Sequence, residues 1–385
     1  MRVLFTVSDL DLGGAQKQLV ELARELVRRG HDVAVYTMND VVPRAKDLQG
    51  TGVELVVDQK RAKLDWRVIG RLRRFVRAWR PDIVHAFLFD AEIYSRIACI
   101  ATGVPVLNSE RSSHYGISGT QRLGHWLTKG LVDGVVANSH VGSRFAQGLY
   151  GYRPDQMHVV WNGMRIEEFE RRGESDADYR KEFFGRGDVK VAVLVGAIKP
   201  AKDYPLALRT AAELLARDVT WRVLFLGDSL AGVAGYKAGV HSDTSTYKEE
   251  AMRLHAELAL GERAKFAGNR KDLPAIVKQC DVLFVTSAWE GFPNSVLEAM
   301  VLGVPVVSTD YSDIRRILPR EGQVIASRSP REMADAIAGA FIDREEIAAE
   351  QKRWVRAHAG IETATENLER VYRQYIRPSL LARPA

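Results

Sequence analysis

Cysteine is almost absent from this chain. Of 385 residues only Cys99 and Cys280 carry a thiol, and they lie far apart. Two isolated thiols build neither a disulfide scaffold nor a cysteine-based metal cluster, and they fit a reducing cytosol. Long apolar runs are missing too: no uncharged stretch approaches the ~18 residues of a membrane-spanning helix. Met1 is followed at once by Arg2 and a strand-like run, which is not the pattern of a signal peptide. There is no internal repeat and no low-complexity tract. No zinc-finger or RNA-recognition signature is present, so nucleic acid is not an expected partner. The excess of one charge sign is small. A formal net charge of +6 makes the distribution of charge matter more than its sum.

What is present is an alternation of buried-strand and helix patterns over a length that suits two domains. Arg2–Val7 reads as a first strand and Asp32–Thr37 as a second. Between them Leu19, Val20, Leu22, Ala23, Leu26 and Val27 recur at helical spacing up to Gly30. Gly13 and Gly14 open that helix and let backbone approach a ligand closely. Asp9 and Asp11 form a D-x-D by letter, read here as a loop feature and not a metal site. Residues 61–80 are the most basic stretch. Val68, Leu72, Phe75, Val76 and Trp79 fall on one helical face, and Arg67, Arg71, Arg74 and Arg77 mostly on others. Either this is a core-packed helix with a solvated basic side, or it is a patch for an anionic membrane. His85, inside the strand Asp82–Phe87, reads as a core or edge histidine. Further strands are expected at 104–108, 190–195, 221–226, 281–285 and 304–310, and helices at 331–342 and 345–376. The segment 229–247 reads as a long surface loop, a lid over the acceptor or a disordered stretch.

The most informative stretch follows Asp281–Val285. Glu290 falls in the loop after that strand and Glu298 on the helix that Gly303 closes. In open α/β sheets this crevice is where ligands bind. The backbone N–H groups of Asn294 and Ser295 are expected to face an anion at the helix start. A carboxylate on each side of an anion site suits a molecule with hydroxyls on both sides of a diphosphate, as a nucleotide-sugar has. The alternative is a strand–turn–helix with two solvated glutamates.

Glu290 and Glu298, seven residues apart, opening as Glu290-Gly-Phe-Pro and closing as Glu298-Ala-Met, resemble the E-x7-E motif of retaining GT-B glycosyltransferases of family 4. The resemblance runs over residues 1–376. It implies an α/β fold of two doubly wound Rossmann-like domains facing across a cleft. Residues 1–165 would form the acceptor side, 166–188 a linker and 189–362 the donor side; 363–385 would be a helix crossing back to the first domain. It implies a nucleotide-diphosphate sugar as donor, no cofactor and no metal. The acceptor would be a hydroxyl of a glycan or lipid-linked molecule in envelope or exopolysaccharide synthesis. The enzyme would work in the cytoplasm or on the inner face of the membrane, held there by residues 61–80.

By position, the resemblance gives Glu298 the ribose hydroxyls and brings Glu290 to the donor sugar. The backbone of Gly291, Phe292, Pro293, Asn294 and Ser295 would meet phosphate and sugar. Gly13 and Gly14 match the N-terminal donor-phosphate loop, and Lys202 matches the lysine of the diphosphate loop. Ala197 stands where many members carry arginine, and Lys199 is placed to supply the missing charge. Arg270 is the side chain nearest the base. Where relatives often place a functional histidine this chain has Glu110 and Arg111, with His114 slightly later; Arg111 or His114 takes that role. Relatives usually carry glycines after the position of Asp310, where Tyr311 and Ser312 stand here. Two other readings stay open, a GT-B-type nucleotide-sugar epimerase and a non-catalytic nucleotide-sugar-binding subunit.

Overall fold

The structure, a computed structural model, describes residues 1–62, 65–113, 116–229, 244–318 and 320–376. His114 and most of the 229–247 loop, both singled out above, lie outside the described residues. The chain divides into two compact units, Met1–Met164 with Ile361–Ala385, and Arg165–Gly360.

The first unit is built on a parallel seven-stranded sheet. Its strands are β1 (Arg2–Val7), β2 (Asp32–Thr37), β3 (Glu54–Val57), β4 (Ile83–Phe87), β5 (Val106–Glu110), β6 (Gly134–Ala137) and β7 (Met157–Val159). They lie in the order β3-β2-β1-β4-β5-β6-β7. β1 is apolar at successive positions because both its faces are covered, as parallel sheets require. Its helices are α1 (Gly14–Arg28), α2 (Trp66–Trp79), α3 (Phe89–Ala98), α4 (Gly119–Thr128) and α5 (His140–Tyr150). Val3, Phe5 and Val35 pack on one face with Leu19, Leu22 and Leu26 of α1. Leu4, Ala34 and Val84 pack on the other with Val68, Leu72 and Val76 of α2 and Ala91 and Ala98 of α3. The apolar face of the basic helix is therefore spent on the core.

The second unit begins with α6 (Ile166–Arg172) and α7 (Tyr179–Phe184). The run 166–188, expected as linker, thus folds into helices that bury Ile166, Phe169 and Tyr179. A six-stranded parallel sheet follows: β8 (Lys190–Val195), β9 (Trp221–Leu226), β10 (Ala264–Gly268), β11 (Val282–Val285), β12 (Val306–Thr309) and β13 (Val324–Ile325), ordered β10-β9-β8-β11-β12-β13. Its helices are α8 (Tyr204–Arg217), α9 (Thr244–Glu257), α10 (Leu273–Lys278), α11 (Asn294–Leu302), α12 (Ile314–Ile317), α13 (Pro330–Ile342) and α14 (Arg344–His358). The helix expected over 345–376 is two helices. The helical run is interrupted at Ala359–Gly360, and the Ile361 N–H donates to the Met164 carbonyl (3.0 Å). There α15 (Ile361–Tyr375) starts, and it packs on the first unit.

Candidate active site

Strand order reverses between β1 and β4 in the first unit and between β8 and β11 in the second. Loops leaving the carboxyl ends of two such strands diverge to opposite faces of the sheet and open a crevice. In the second unit these loops are Gly196–Asp203 and Thr286–Pro293, and they bring Lys202 and Glu290 together. Lys202 Nζ lies 2.5 Å from Glu290 Oε1. The Ser287 hydroxyl donates to the same carboxylate oxygen at 2.6 Å. Burial pushes the Glu290 carboxyl up, but the charge and hydrogen bond of Lys202, the Ser287 hydroxyl and the charge of Lys199 outweigh it and hold it below the ordinary range. Burial, then the charge of Lys202, lowers Lys199, and Glu290 opposes them. Three residues chosen from sequence, Lys199, Lys202 and Glu290, are thus within electrostatic reach of one another. Gly196 is needed for this arrangement. A Cβ there would stand 2.5 Å from Lys202 Cε, so only glycine lets the lysine stem lie across the loop.

Beyond this cluster Phe292 and Pro293 are buried, and Asn294 starts α11. The Asn294 N–H, expected to face an anion, donates instead to the Phe292 carbonyl (3.0 Å). The tight turn after Gly291 brings that carbonyl within reach. The helix dipole is unaffected, and Ser295 is the next first-turn amide. Glu298 is half-buried on the second turn. Arg270 is engaged elsewhere. It forms a two-pronged pair with Asp272 (2.8 and 2.7 Å), bonds Glu182 (2.8 Å) and lies over the Phe183 ring. Its guanidinium ties α7 to the loop after β10.

In the first unit Gly13 precedes α1, and a Cβ there would meet Gln16 Oε1 at 2.3 Å. Gln16 folds over the glycine to donate to Asp9 Oδ1 (2.8 Å). Asp9 also accepts from the Asp11 N–H (3.3 Å), so the D-x-D letters tie a turn. Among the described residues no cluster of three or more His, Cys, Asp or Glu is placed to hold a metal. Arg111 follows β5. It donates to Ser109 Oγ (2.6 Å) and Asn162 Oδ1 (3.0 Å) and lies over the Phe87 ring. Burial lowers it to about 10, against the pull of Tyr372 and Glu110. His85 is fully buried, with Nδ1 2.7 Å from the Tyr372 hydroxyl of α15. Burial and then Arg111 keep it neutral, in line with a core role.

Comparison with known proteins decides the family. Residues 12–168 match the model of Glycosyltransferase Family 4, and residues 175–358 match Glycosyl transferases group 1. The chain belongs to glycosyltransferase family 4. The glycosyltransferase is 26% identical to a D-inositol 3-phosphate glycosyltransferase of Acidothermus cellulolyticus, over 91% of this chain and 82% of that one. It is 25% identical to one from Saccharomonospora viridis, over 91% and 85%. Its fold matches Anabaena Alr3699/HepE, solved in complex with UDP, at a TM-score of 0.80 and 19% identity, covering 97% of this chain and all of that one (100%). A glycosyltransferase from Rickettsia africae matches at 0.81 and 15% identity, covering 98% and 99%. The fold is therefore GT-B.

Sequence reasoning passed over the residues that lock the two switch-point loops of the glycosyltransferase's second unit together. Thr286 Oγ1 donates to the Lys202 carbonyl (2.7 Å), and the Ala288 N–H donates to the Ala201 carbonyl (2.8 Å). Arg328 pairs with Asp203 and donates to the carbonyls of Thr286 (3.1 Å) and Ser287 (3.3 Å). Tyr311 is buried near Glu290, and burial and that carboxylate raise its phenol. Its neighbour Ser312 donates to the Gly291 carbonyl (2.8 Å). Only the departure from glycine at Tyr311 was visible beforehand. Arg328 gives no local signal.

Proposed function

We propose that this glycosyltransferase moves a sugar from a nucleotide-diphosphate sugar, with UDP as the nucleotide, to a hydroxyl of a glycan or lipid-linked acceptor with retention of anomeric configuration. The place of this reaction would be envelope or exopolysaccharide synthesis at the cytoplasmic face of a membrane. The observation that carries the reading is the Lys202–Glu290 pair, with Lys199 beside it, at the switch point of the second sheet. Ammonium groups fixed beside a carboxylate are suited to meeting charge that grows on a departing diphosphate. The structural neighbour solved with UDP, and others of that protein with UDP-glucose, support a uridine donor. The curated relatives support transfer to a hydroxyl of a small polyol phosphate as a second acceptor class.

In the proposed step the bond from the anomeric carbon to the diphosphate oxygen breaks. The acceptor oxygen bonds that carbon on the same face, and its proton passes to the departing phosphate. Lys202 and Lys199 hold the diphosphate, Glu298 the ribose, and Glu290 keeps Lys202 aimed while approaching the sugar. With two cations in place, no divalent metal is required. The test is incubation of the pure chain with UDP-sugars and acceptors, including D-inositol 3-phosphate and a membrane-lipid extract, with products read by mass spectrometry and NMR. An α-linked product from an α-linked donor, formed equally in EDTA, is expected. A donor epimer formed without acceptor would identify an epimerase, and no turnover with tight UDP binding a non-catalytic subunit.

A further inference from the structure

The helix α4 is built inside out. Helices on a sheet normally turn their apolar side inward and their polar side to water. Here the inward residues are His125 and Thr128, and both are held by a buried guanidinium. Arg96 of α3 is 1% exposed. It reaches Thr128 Oγ1 (3.1 Å), His125 Nδ1 (3.3 Å), the Tyr152 hydroxyl (3.0 Å) and Glu92 (3.3 Å). The His125 ring lies 4.2 Å from that of Tyr150. Ser118 and Gln121 close a capping box at the helix start. The helix is therefore anchored and capped, and its outward side is set by design of the fold. That side carries Leu123, Trp126 and Leu127, exposed by 58%, 64% and 64%. They are spaced i, i+3, i+4 and form one stripe. Leu131 is exposed just beyond.

The charges around the stripe point to its occupant. Arg122 and Lys129 flank it and are exposed, and no acidic residue occurs between Glu110 and Asp133. α2 and α3 cover the same sheet face, and α4 leans on α3. Exposed Arg67, Arg74 and Arg77 of α2 therefore belong to the same layer of helices. Arg71 and Arg73 do not add to it freely, since Asp58 and the Ala98 and Ile100 carbonyls hold them. A ten-residue helix is about 15 Å long. Its stripe falls well short of the ~800 Å² per partner that a stable protein interface buries. A bilayer asks for no such area. Its interface favours tryptophan, and its anionic headgroups favour arginine and lysine.

We propose that the outward face of α4 docks into an anionic phospholipid bilayer, with Leu123, Trp126 and Leu127 in the interface and the arginines of α2 on the headgroups. The inference rests on the reading that the enzyme meets its acceptor at a membrane, and it names the surface that does so.

The test is co-sedimentation of the full chain with vesicles of phosphatidylcholine, alone or with phosphatidylglycerol, at low and high salt. The wild type is expected to bind anionic vesicles and to keep a salt-resistant fraction. Leu123→Ser/Trp126→Ser/Leu127→Ser should weaken binding more than about tenfold at both salts, with UDP affinity unchanged. Arg67→Gln/Arg74→Gln/Arg77→Gln should lose only the anionic, salt-sensitive part. Lipids brominated on the acyl chain should quench the wild type more than Trp126→Phe, a readout that stands even where the triple variant folds poorly. Wild-type binding by the triple variant, with equal quenching of Trp126→Phe, overturns the α4 assignment and leaves the membrane reading intact. No wild-type binding under any condition overturns both. A dimer that only the triple variant dissociates, with vesicle binding unchanged, makes this face a contact between copies and likewise overturns it.

Discussion

Glu290 and Glu298 sit close in sequence and are proposed to do different work. Glu290 is already engaged by Lys202 and Ser287, whereas Glu298 is half-buried on a helix and is assigned the ribose. Glu298→Gln keeps one acceptor and replaces the other by a donor, so it should cost about 1.5–3 kcal/mol of UDP binding. Calorimetry with UDP checks this, and an unchanged affinity would remove Glu298 from the nucleotide site. Lys199 is the proposed replacement for the arginine that Ala197 does not supply. Lys199→Ala should lower kcat by more than it raises donor Kd, because the charge it meets grows as the bond breaks. Full turnover by Lys199→Ala beside an inactive Lys202→Ala would end that idea. Lysine lacks the planar fork of arginine, so Lys199→Arg need not improve the enzyme.

Among the elements, α15 shows how an ion pair can hold a helix. Glu369 is almost wholly buried, and it accepts from Arg29 (2.6 Å) and lies 2.9 Å from His31 Nε2. Burial pushes its carboxyl up, but Arg29 and His31 prevail and bring it to about 2, against 4.5 ordinarily. A carboxylate lowered on folding stabilises fully above 4.5 and loses that contribution as pH falls toward 2. Burial lowers His31 as well, with Glu369 opposing. Acid then favours the unfolded chain again, beginning near 6.5. Glu369→Gln should destabilise the first unit by about 3 kcal/mol at neutral pH and flatten the acid limb between 4.5 and 2. Urea titrations at pH 7, 4 and 3 measure both. A parallel downward shift with the acid limb retained would place the linkage elsewhere.

Over the whole molecule the chain leaves the first unit at Met164 and returns at Ile361. Ile361, Leu368, Val371, Tyr372 and Ile376 of the returning segment are buried in the first unit's core. At about 1.5–3 kcal/mol for each side chain their burial is worth ~10 kcal/mol, comparable to the entire stability of a domain. Deleting residues 361–385 should therefore unfold the first unit and spare the second. Hydrogen exchange should rise across β1–β7 and stay slow across β8–β12. A protected first sheet in the truncated chain would show that α15 is dispensable. The two sheets also explain why one motif said so much. The motif follows the β11 strand of a switch point, where a loop must point into a crevice.

Periodicity alone determined the alternation of strands and helices, because burial on two faces or on one stripe writes itself into neighbouring residues. It also determined that Lys202 and Glu290 lie in loops, since each loop leaves the end of a readable strand. Partners distant in sequence were beyond its reach. Arg328 meets Thr286 and Ser287, and Arg270 is taken up by Asp272 and Glu182, and neither pairing leaves a local pattern. The break at Ala359–Gly360 was hidden because helical spacing runs through it, and the Met164 carbonyl that accepts from Ile361 lies nearly two hundred residues earlier, at the end of the first unit's main segment. The direction of α4 was undetermined for the same reason. Leu123, Trp126 and Leu127 turn outward because Arg96 holds His125 and Thr128 on the opposite side, and only the folded chain brings that guanidinium there.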